Sequence, residues 1–185
     1  LPEFCTVGDD KTLRFFSLRD KNVTASVSLG IISRTCVYNP SGDLLAIGCG
    51  GRVGKGKEAG GGVVRIYKAT WKDPNTNEAN PELVIKLAER KDAKEWISDV
   101  KFSVDGRTLV AGAHDCKIYI YEVVYDGTTC TLNLKSTFSK HNSVINHVDL
   151  SADGRFMQSN CSAYELLFCD VGTGKQITSA SELKD

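Results

Sequence analysis

Residues 51–57, Gly51-Arg52-Val53-Gly54-Lys55-Gly56-Lys57, have the spacing Gly-x-x-x-x-Gly-Lys. In a phosphate-cradling loop that spacing supplies backbone amides and a lysine to a nucleotide. The position after the lysine should then carry a hydroxyl for Mg²⁺ and open a helix, but Glu58 stands there, followed by Gly60-Gly61-Gly62 and a β-branched run. A carboxylate at that point repels phosphate, so no nucleotide or other cofactor site is expected. The same residues fit a different chemistry. Arg52, Lys55 and Lys57 face a single acid, Glu58, which leaves two local positive charges on a run in which seven of thirteen positions (50–62) are glycine. Such a segment reads as an extended basic finger able to touch an acidic partner. Arg52, Lys55 and Lys57 are the candidate partner-binding residues.

Other reactive side chains form no set. His114, His141 and His147 fall in different segments, and no cysteine–carboxylate group stands beside them at ligand spacing, so no metal site is expected. Serine, histidine and aspartate are all present, yet nothing resembles a nucleophile elbow, so the chain is read as non-enzymatic with no catalytic residue. The seven cysteines (5, 36, 49, 116, 130, 161 and 169) occur singly without a Cys-x-x-Cys pair, and are expected to be reduced, small buried hydrophobes.

Bulk composition narrows the partners. The 185 residues carry 23 basic and 23 acidic side chains, a formal net charge of zero. There is no overall basic field for nucleic acid and no apolar run of about 18 residues for a membrane span. Proteins are the partners left.

The elements that hold these residues follow a repeat. Three turns share one formula: Asn39-Pro40-Ser41-Gly42-Asp43, Ser103-Val104-Asp105-Gly106-Arg107 and Ser151-Ala152-Asp153-Gly154-Arg155. Each lies between two short apolar runs, a hairpin signal. A small-residue turn and a third strand come next: residues 12–17, 63–68, 117–122 and 165–170. The third of these, Lys117-Ile118-Tyr119-Ile120-Tyr121-Glu122, is apolar on both faces and reads as a strand buried on both sides. A shared register predicts Phe15, Ile66, Ile120 and Phe168 to be buried between sheets. A more polar fourth strand follows each: 23–28, 83–88, 132–138 and, weakly, 176–179. Four strands in about 40–45 residues is the period of a β-propeller blade.

On these residues the chain resembles the WD40 repeat. More closely, Ala113-His114-Asp115-Cys116-Lys117-Ile118-Tyr119-Ile120-Tyr121, Lys140-His141-Asn142-Ser143-Val144-Ile145-Asn146-His147 and Glu95-Trp96-Ile97-Ser98-Asp99-Val100 are similar to blades of the echinoderm microtubule-associated-protein-like family, in its tandem atypical propeller. The resemblance implies an all-β, WD40-type β-propeller segment of about four blades: the end of one (1–28), a second (29–88) with insertions at 50–62 and 70–81, a third (89–138) and a fourth (139–180), with further blades in the full-length chain. It implies a cytoplasmic, cytoskeletal scaffold that binds tubulin or microtubules. A general protein-interaction adaptor of a ciliary or signalling complex is the alternative. It also puts the 50–62 insertion on the face where propeller partners dock.

There are departures from the WD40 pattern. No repeat ends in Trp-Asp: Phe16-Ser17, Tyr67-Lys68, Tyr121-Glu122 and Cys169-Asp170 stand there. The loop-histidine and turn-aspartate pairing is split, with Asp10 and Asp115 lacking a histidine and His141 facing Ala163 where the aspartate should be. The blades are therefore expected to depend on packing more than on that buried polar network.

Overall fold

The computed structural model describes residues 3–51, 61–69 and 80–183. Arg52, Lys55, Lys57 and Trp71 lie outside the described residues.

Among the described residues, fifteen strands form four antiparallel sheets, each in chain order. Blade 1 has three strands, β1 (Glu3–Val7), β2 (Thr12–Ser17) and β3 (Val23–Ser28). Blade 2 comprises β4 (Ser33–Tyr38), β5 (Leu44–Cys49), β6 (Val63–Lys68) and β7 (Lys86–Arg90). Blade 3 comprises β8 (Ile97–Phe102), β9 (Thr108–Ala113), β10 (Ile118–Tyr125) and β11 (Cys130–Phe138). Blade 4 comprises β12 (Ile145–Leu150), β13 (Phe156–Cys161), β14 (Leu166–Asp170) and β15 (Lys175–Ile177). The innermost strands β4, β8 and β12 stand side by side, with β1 next to β4. This is the expected all-β propeller segment. The largest shift of a strand start is in blade 2: Leu83, expected to open its fourth strand, closes a 3-10 turn (Pro81–Leu83), and β7 begins at Lys86.

The repeated turns form because their side chains satisfy their own backbone. Ser103 Oγ donates to Asp105 Oδ1 at 2.5 Å, the Arg107 amide donates to the same oxygen at 3.0 Å, and the Thr108 amide returns to Ser103 Oγ at 2.9 Å. Gly106 takes the left-handed conformation (φ 71°) that closes the turn. The turn of blade 4 repeats this with Ser151, Asp153 and Arg155, while in blade 2 Asn39 reaches Ser41, Asp43 and the Leu44 amide.

Packing runs from sheet to sheet. Leu13 and Phe15 meet Leu45, Ile47 and Tyr67 between blades 1 and 2. Ala46, Val64 and Ile66 meet Val100, Leu109 and Tyr121 between blades 2 and 3. Val110, Ile118 and Ile120 meet Ile145, Val148 and Met157 between blades 3 and 4. Strand β10 is buried on both faces from Ile118 to Tyr121. The sheets approach closely because Gly48 and Gly112 have no Cβ: one added there would lie 2.6 Å from Ile97 or from Ile145. Phe15, Ile66 and Ile120 are fully buried, as the register predicts. Phe168 is only half-buried. It is paired with Gln158 as Ile66 is with Ala46, so it points to the outer side of blade 4, against which no sheet packs among the described residues.

Alongside the sheet-to-sheet packing, polar networks persist without the Trp-Asp ends. In blade 2, Arg65 Nε donates to Glu89 Oε2 at 2.8 Å and its Nη1 to the Leu29 carbonyl at 2.8 Å. In blade 3, Asp115 accepts the Tyr119 hydroxyl at 2.7 Å and the Lys94 amide at 2.8 Å, while Asp92 accepts the Tyr121 hydroxyl at 3.1 Å and Arg90 at 2.9 Å. Tyrosines thus take the donor role. All seven thiols are free, although the fold brings Cys5 and Cys36, from adjacent blades, to 3.7 Å.

Replacing Ile120 by Ala should lower stability by about 2–5 kcal/mol. The same truncation at half-buried Phe168 should cost clearly less than the roughly 3–5 kcal/mol of a fully buried phenylalanine. Urea unfolding of both variants checks the order. Glu89 yields a pH prediction. Burial opposes its ionised form, yet Lys91, Lys86 and Arg65 hold its carboxyl down at about 2. The folded value lies below the ordinary one of about 4.3, so its contribution is complete above that pH and is lost as pH falls toward 2. Thermal melts from pH 6 to pH 2 should show a shallower acid decline in Glu89→Gln.

Candidate functional site

Each innermost strand opens with a β-bulge, between Ser33 and Thr35, Ile97 and Asp99, and Ile145 and His147. The extra residue at each bulge, Arg34, Ser98 and Asn146, is turned onto one rim. These three line a single cleft together with Trp96, His114, His147 and Asn160. The cleft is a product of the bulge, which re-aims one side chain per blade.

A cation–aromatic stack dominates it. The Arg34 guanidinium lies 4.3 Å from the Trp96 ring centroid, and the His114 ring stands 4.0 Å from Trp96, tilted by 52°. Asp9 of blade 1 pins the far side of Arg34 at 2.8 Å. The His114 amide donates to the Trp96 carbonyl at 2.9 Å, which fixes the ring pair. Burial, with Arg34 nearby and against the pull of Glu95, lowers the basicity of His114 below the ordinary imidazole value. It therefore serves as a neutral, flat, hydrogen-bonding surface near pH 7.

Residues 50, 51, 61 and 62, which flank the basic segment, sit on the same rim. A Cβ on Gly50 would lie 2.9 Å from Trp96 Cα, and one on Gly51 would lie 3.2 Å from Arg34 Nη2. One on Gly62 would lie 2.2 Å from the Glu95 carbonyl oxygen. Both ends of the insertion that carries Arg52, Lys55 and Lys57 are thus anchored beside the stack. Arg34, Trp96 and His114 were not among the sequence candidates. The signal that could have found them is the offset between Gly-anchored strand ends and the residue that follows Ser33 or precedes Ile97, a position on no regular face of a strand.

Below the rim a buried carboxylate joins three blades. Asp99 Oδ1 accepts the Thr35 hydroxyl at 3.4 Å and its own neighbour's amide, Val100, at 3.0 Å. Its Oδ2 accepts the Val148 amide at 3.1 Å and lies 3.7 Å from His147 Nδ1. Thr35, Asp99 and His147 hold the same place after the bulge in blades 2, 3 and 4.

At the start of blade 4, His141 Nε2 is 2.8 Å from Ser159 Oγ. The acid that Ala163 lacks is supplied two residues later: Glu165 Oε2 accepts the Asn142 amide at 2.9 Å and lies 3.4 Å from His141 Nδ1. Donors from the Asn142 backbone and side chain, Cys161 and His141 hold the Glu165 carboxyl down at about 2. The split of the histidine–acid pair expected from sequence is thus repaired by displacement of the acid.

Antiparallel four-stranded blades with hairpin turns of Ser-x-Asp-Gly-Arg type and a bulged innermost strand define a WD-type β-propeller segment. The chain belongs to the echinoderm microtubule-associated-protein family: the family model described as "Echinoderm microtubule-associated protein second beta-propeller" matches residues 1–185. It is 31% identical over 188 residues to human echinoderm microtubule-associated protein-like 3, covering 98% of this chain and 18% of that protein. It is 30% identical to the rat echinoderm microtubule-associated protein-like 2 over 185 residues, 99% of this chain and 24% of that protein. A ciliary WD repeat-containing protein, ctxp80 of Euplotoides octocarinatus, is 31% identical over 96% of this chain and 24% of its own length. The chain therefore spans no more than about a quarter of these relatives.

Arg34→Ala removes one cation–π contact and one exposed ion pair, each worth about 1 kcal/mol or less. It should leave the thermal midpoint nearly unchanged while altering Trp96 fluorescence. Gly62→Ala, which drives a methyl into the Glu95 carbonyl, should lower the midpoint clearly.

Proposed function

We propose that this chain is part of a non-catalytic scaffold that docks a protein partner on the Arg34–Trp96–His114 rim, and that the partner is the microtubule. The observation that carries the reading is the half-buried cation–aromatic stack lining an open cleft and flanked by both ends of the basic insertion. An aromatic platform with a fixed guanidinium is the kind of anchor that dominates protein interfaces. Among the described residues the rim balances Arg34 and Lys94 against Asp9 and Glu95, and the adjoining sequence 52–58 carries Arg52, Lys55 and Lys57 against Glu58. The partner chemistry that fits is an acidic protein surface. The names of the relatives supply the particular partner, since they are called microtubule-associated. A cytoplasmic, cytoskeletal location goes with this reading. The described part of the chain has no helix long and apolar enough to cross a membrane.

One relative favours a second reading. The ciliary WD repeat-containing protein is named for a location and not for a filament, which fits an adaptor that reaches the cytoskeleton through another protein.

The test is co-sedimentation of the full-length protein with polymerised tubulin at low salt. Changing Arg52, Lys55 and Lys57 together to Ser should weaken pelleting several-fold and reduce its salt dependence, with no loss of thermal stability. Trp96→Ala should also weaken it. Unchanged pelleting in both variants removes the rim from the interface. Failure of the unaltered protein to pellet favours the adaptor.

A further inference from the structure

Blades 1 and 2 meet through two thiols. Cys5 stands in the middle of β1, and Cys36 lies within β4, the adjacent strand of the next blade. Their Sγ atoms are 3.7 Å apart. A sulfur–sulfur bond of about 2.05 Å asks for a closure of about 1.7 Å, within the reach of rotation about the two Cα–Cβ bonds. Both thiols are partly exposed, whereas Cys49, Cys130, Cys161 and Cys169 are buried. The pair packs on the apolar cluster of Leu13, Leu45 and Ile47 without being sealed by it.

The surroundings tell the two sulfurs apart. Cys36 Sγ lies 3.8 Å from the Cys5 carbonyl oxygen, an acceptor that favours its protonated form. Cys5 faces donors instead. The hydrogen bond from Cys36 and, against the effect of burial, one from the Tyr38 side chain hold its thiol below the ordinary cysteine value. Cys36 is pushed well above that value by the same hydrogen bond, by burial and by the charge that Cys5 carries as a thiolate. The thiolate is the nucleophile in sulfur oxidation, so Cys5 is the attacking atom. Two of the three causes acting on Cys36 end once Cys5 is a neutral sulfenic acid, which eases the release of the Cys36 proton in a second step.

We propose that Cys5 and Cys36 form a reversible oxidation site for hydroperoxides, with Cys5 as the reacting thiol and Cys36 as the resolving one, and that the product is a disulfide clasp between blades 1 and 2. With hydrogen peroxide, the Cys5 thiolate attacks one oxygen and the O–O bond breaks. The sulfur gives up two electrons, and the departing hydroxide takes a proton from solvent and leaves as water. The Cys36 sulfur then attacks Cys5 and the S–O bond breaks. The hydroxyl leaves with the Cys36 proton as a second water. A dithiol reductant returns both thiols by exchange, so in a reducing compartment the pair rests as free thiols and is bridged only under peroxide. The bridge would close a loop with a separation of 31 residues, which restricts the unfolded chain. It would lie two residues from Arg34 (36 − 34) and four from Asp9 (9 − 5), whose ion pair at 2.8 Å joins the same two blades. Oxidation thus adds a covalent tie beside a contact that salt weakens.

Full-length protein, reduced and then treated with a few equivalents of hydrogen peroxide, tests this. Non-reducing tryptic mass mapping should show the peptide that carries Cys5 joined to peptide 35–52, with fragmentation placing the bond at Cys36 and leaving Cys49 alkylated. Dithiothreitol should undo the bond, and the bridged form should melt at a higher temperature than the reduced one. Cys36→Ser keeps a hydrogen-bond donor beside Cys5. In that variant dimedone should trap Cys5 as a sulfenic acid several-fold faster than it traps Cys36 in Cys5→Ser. Cys49→Ser should keep the bridge. Treated protein in which Cys5 and Cys36 both remain free thiols overturns the site, as does a bond from either to a different cysteine. Trapping of Cys36 as fast as that of Cys5 overturns the assigned order. Should the variants fail to fold, the mapping of the unaltered protein decides alone.

Discussion

Much of this arrangement depends on one buried carboxylate. Asp99 is 8% exposed and accepts hydrogen bonds from Thr35 of blade 2, Val100 of blade 3 and Val148 of blade 4. A carboxylate out of water costs several kcal/mol unless its lone pairs are met, and here both oxygens are met. The bonds span sequence separations of 64 and 49 residues, so they form only when three blades are in register. Hydrophobic faces bring sheets together without direction. Asp99 adds direction, because a sheet displaced by one residue leaves its charge unpaired. The rim above it inherits that precision: Arg34 belongs to one blade, Trp96 and His114 to the next, and their contact requires the same register.

Much of the fold was legible in the chain because the repeat states each strand several times. The third strands at 12–17 and 63–68 coincide with β2 and β6, and the turns at 39–43, 103–107 and 151–155 carry their own hydrogen-bonding chemistry. Phe168 shows the limit of register alone. It occupies the place of Ile66 and Ile120, but burial there depends on a neighbouring sheet, which no property of Phe168 records. The candidate site was legible only in its charge. Arg52, Lys55 and Lys57 are conspicuous as a group, whereas Arg34, Trp96 and His114 are separated by 62 and 18 residues (96 − 34 and 114 − 96) and meet through a bulge. Likewise Glu165 sits two residues from the position the WD40 pattern assigns to an acid. A side chain can reach back where a motif comparison, read position by position, cannot.

The sides of the segment differ from its rim. On blade 1, Phe4 and Phe16 stack with centroids 4.8 Å apart, and Phe4 is 41% exposed. On blade 4, Leu166 is 58% exposed beside half-buried Phe168. These are lateral faces of the two end sheets, against which no sheet packs among the described residues. They are of a different kind from the rim, where an aromatic ring is capped by a guanidinium and wetted by asparagines.

The bulge has an evolutionary meaning. In a regular strand every side chain belongs to one of two faces, and a face that packs on a neighbouring sheet cannot change without disturbing the core. The inserted residue belongs to neither. Arg34, Ser98 and Asn146 hold equivalent places yet differ in size and shape, and only Arg34 is charged. Blades 2, 3 and 4 thus each carry one position whose side chain stays out of the sheet-to-sheet core and lines the same cleft as its counterparts. A propeller that keeps its bulges can rewrite this short row of letters while its architecture stays the same, which gives a repeat protein a way to acquire new partners one blade at a time.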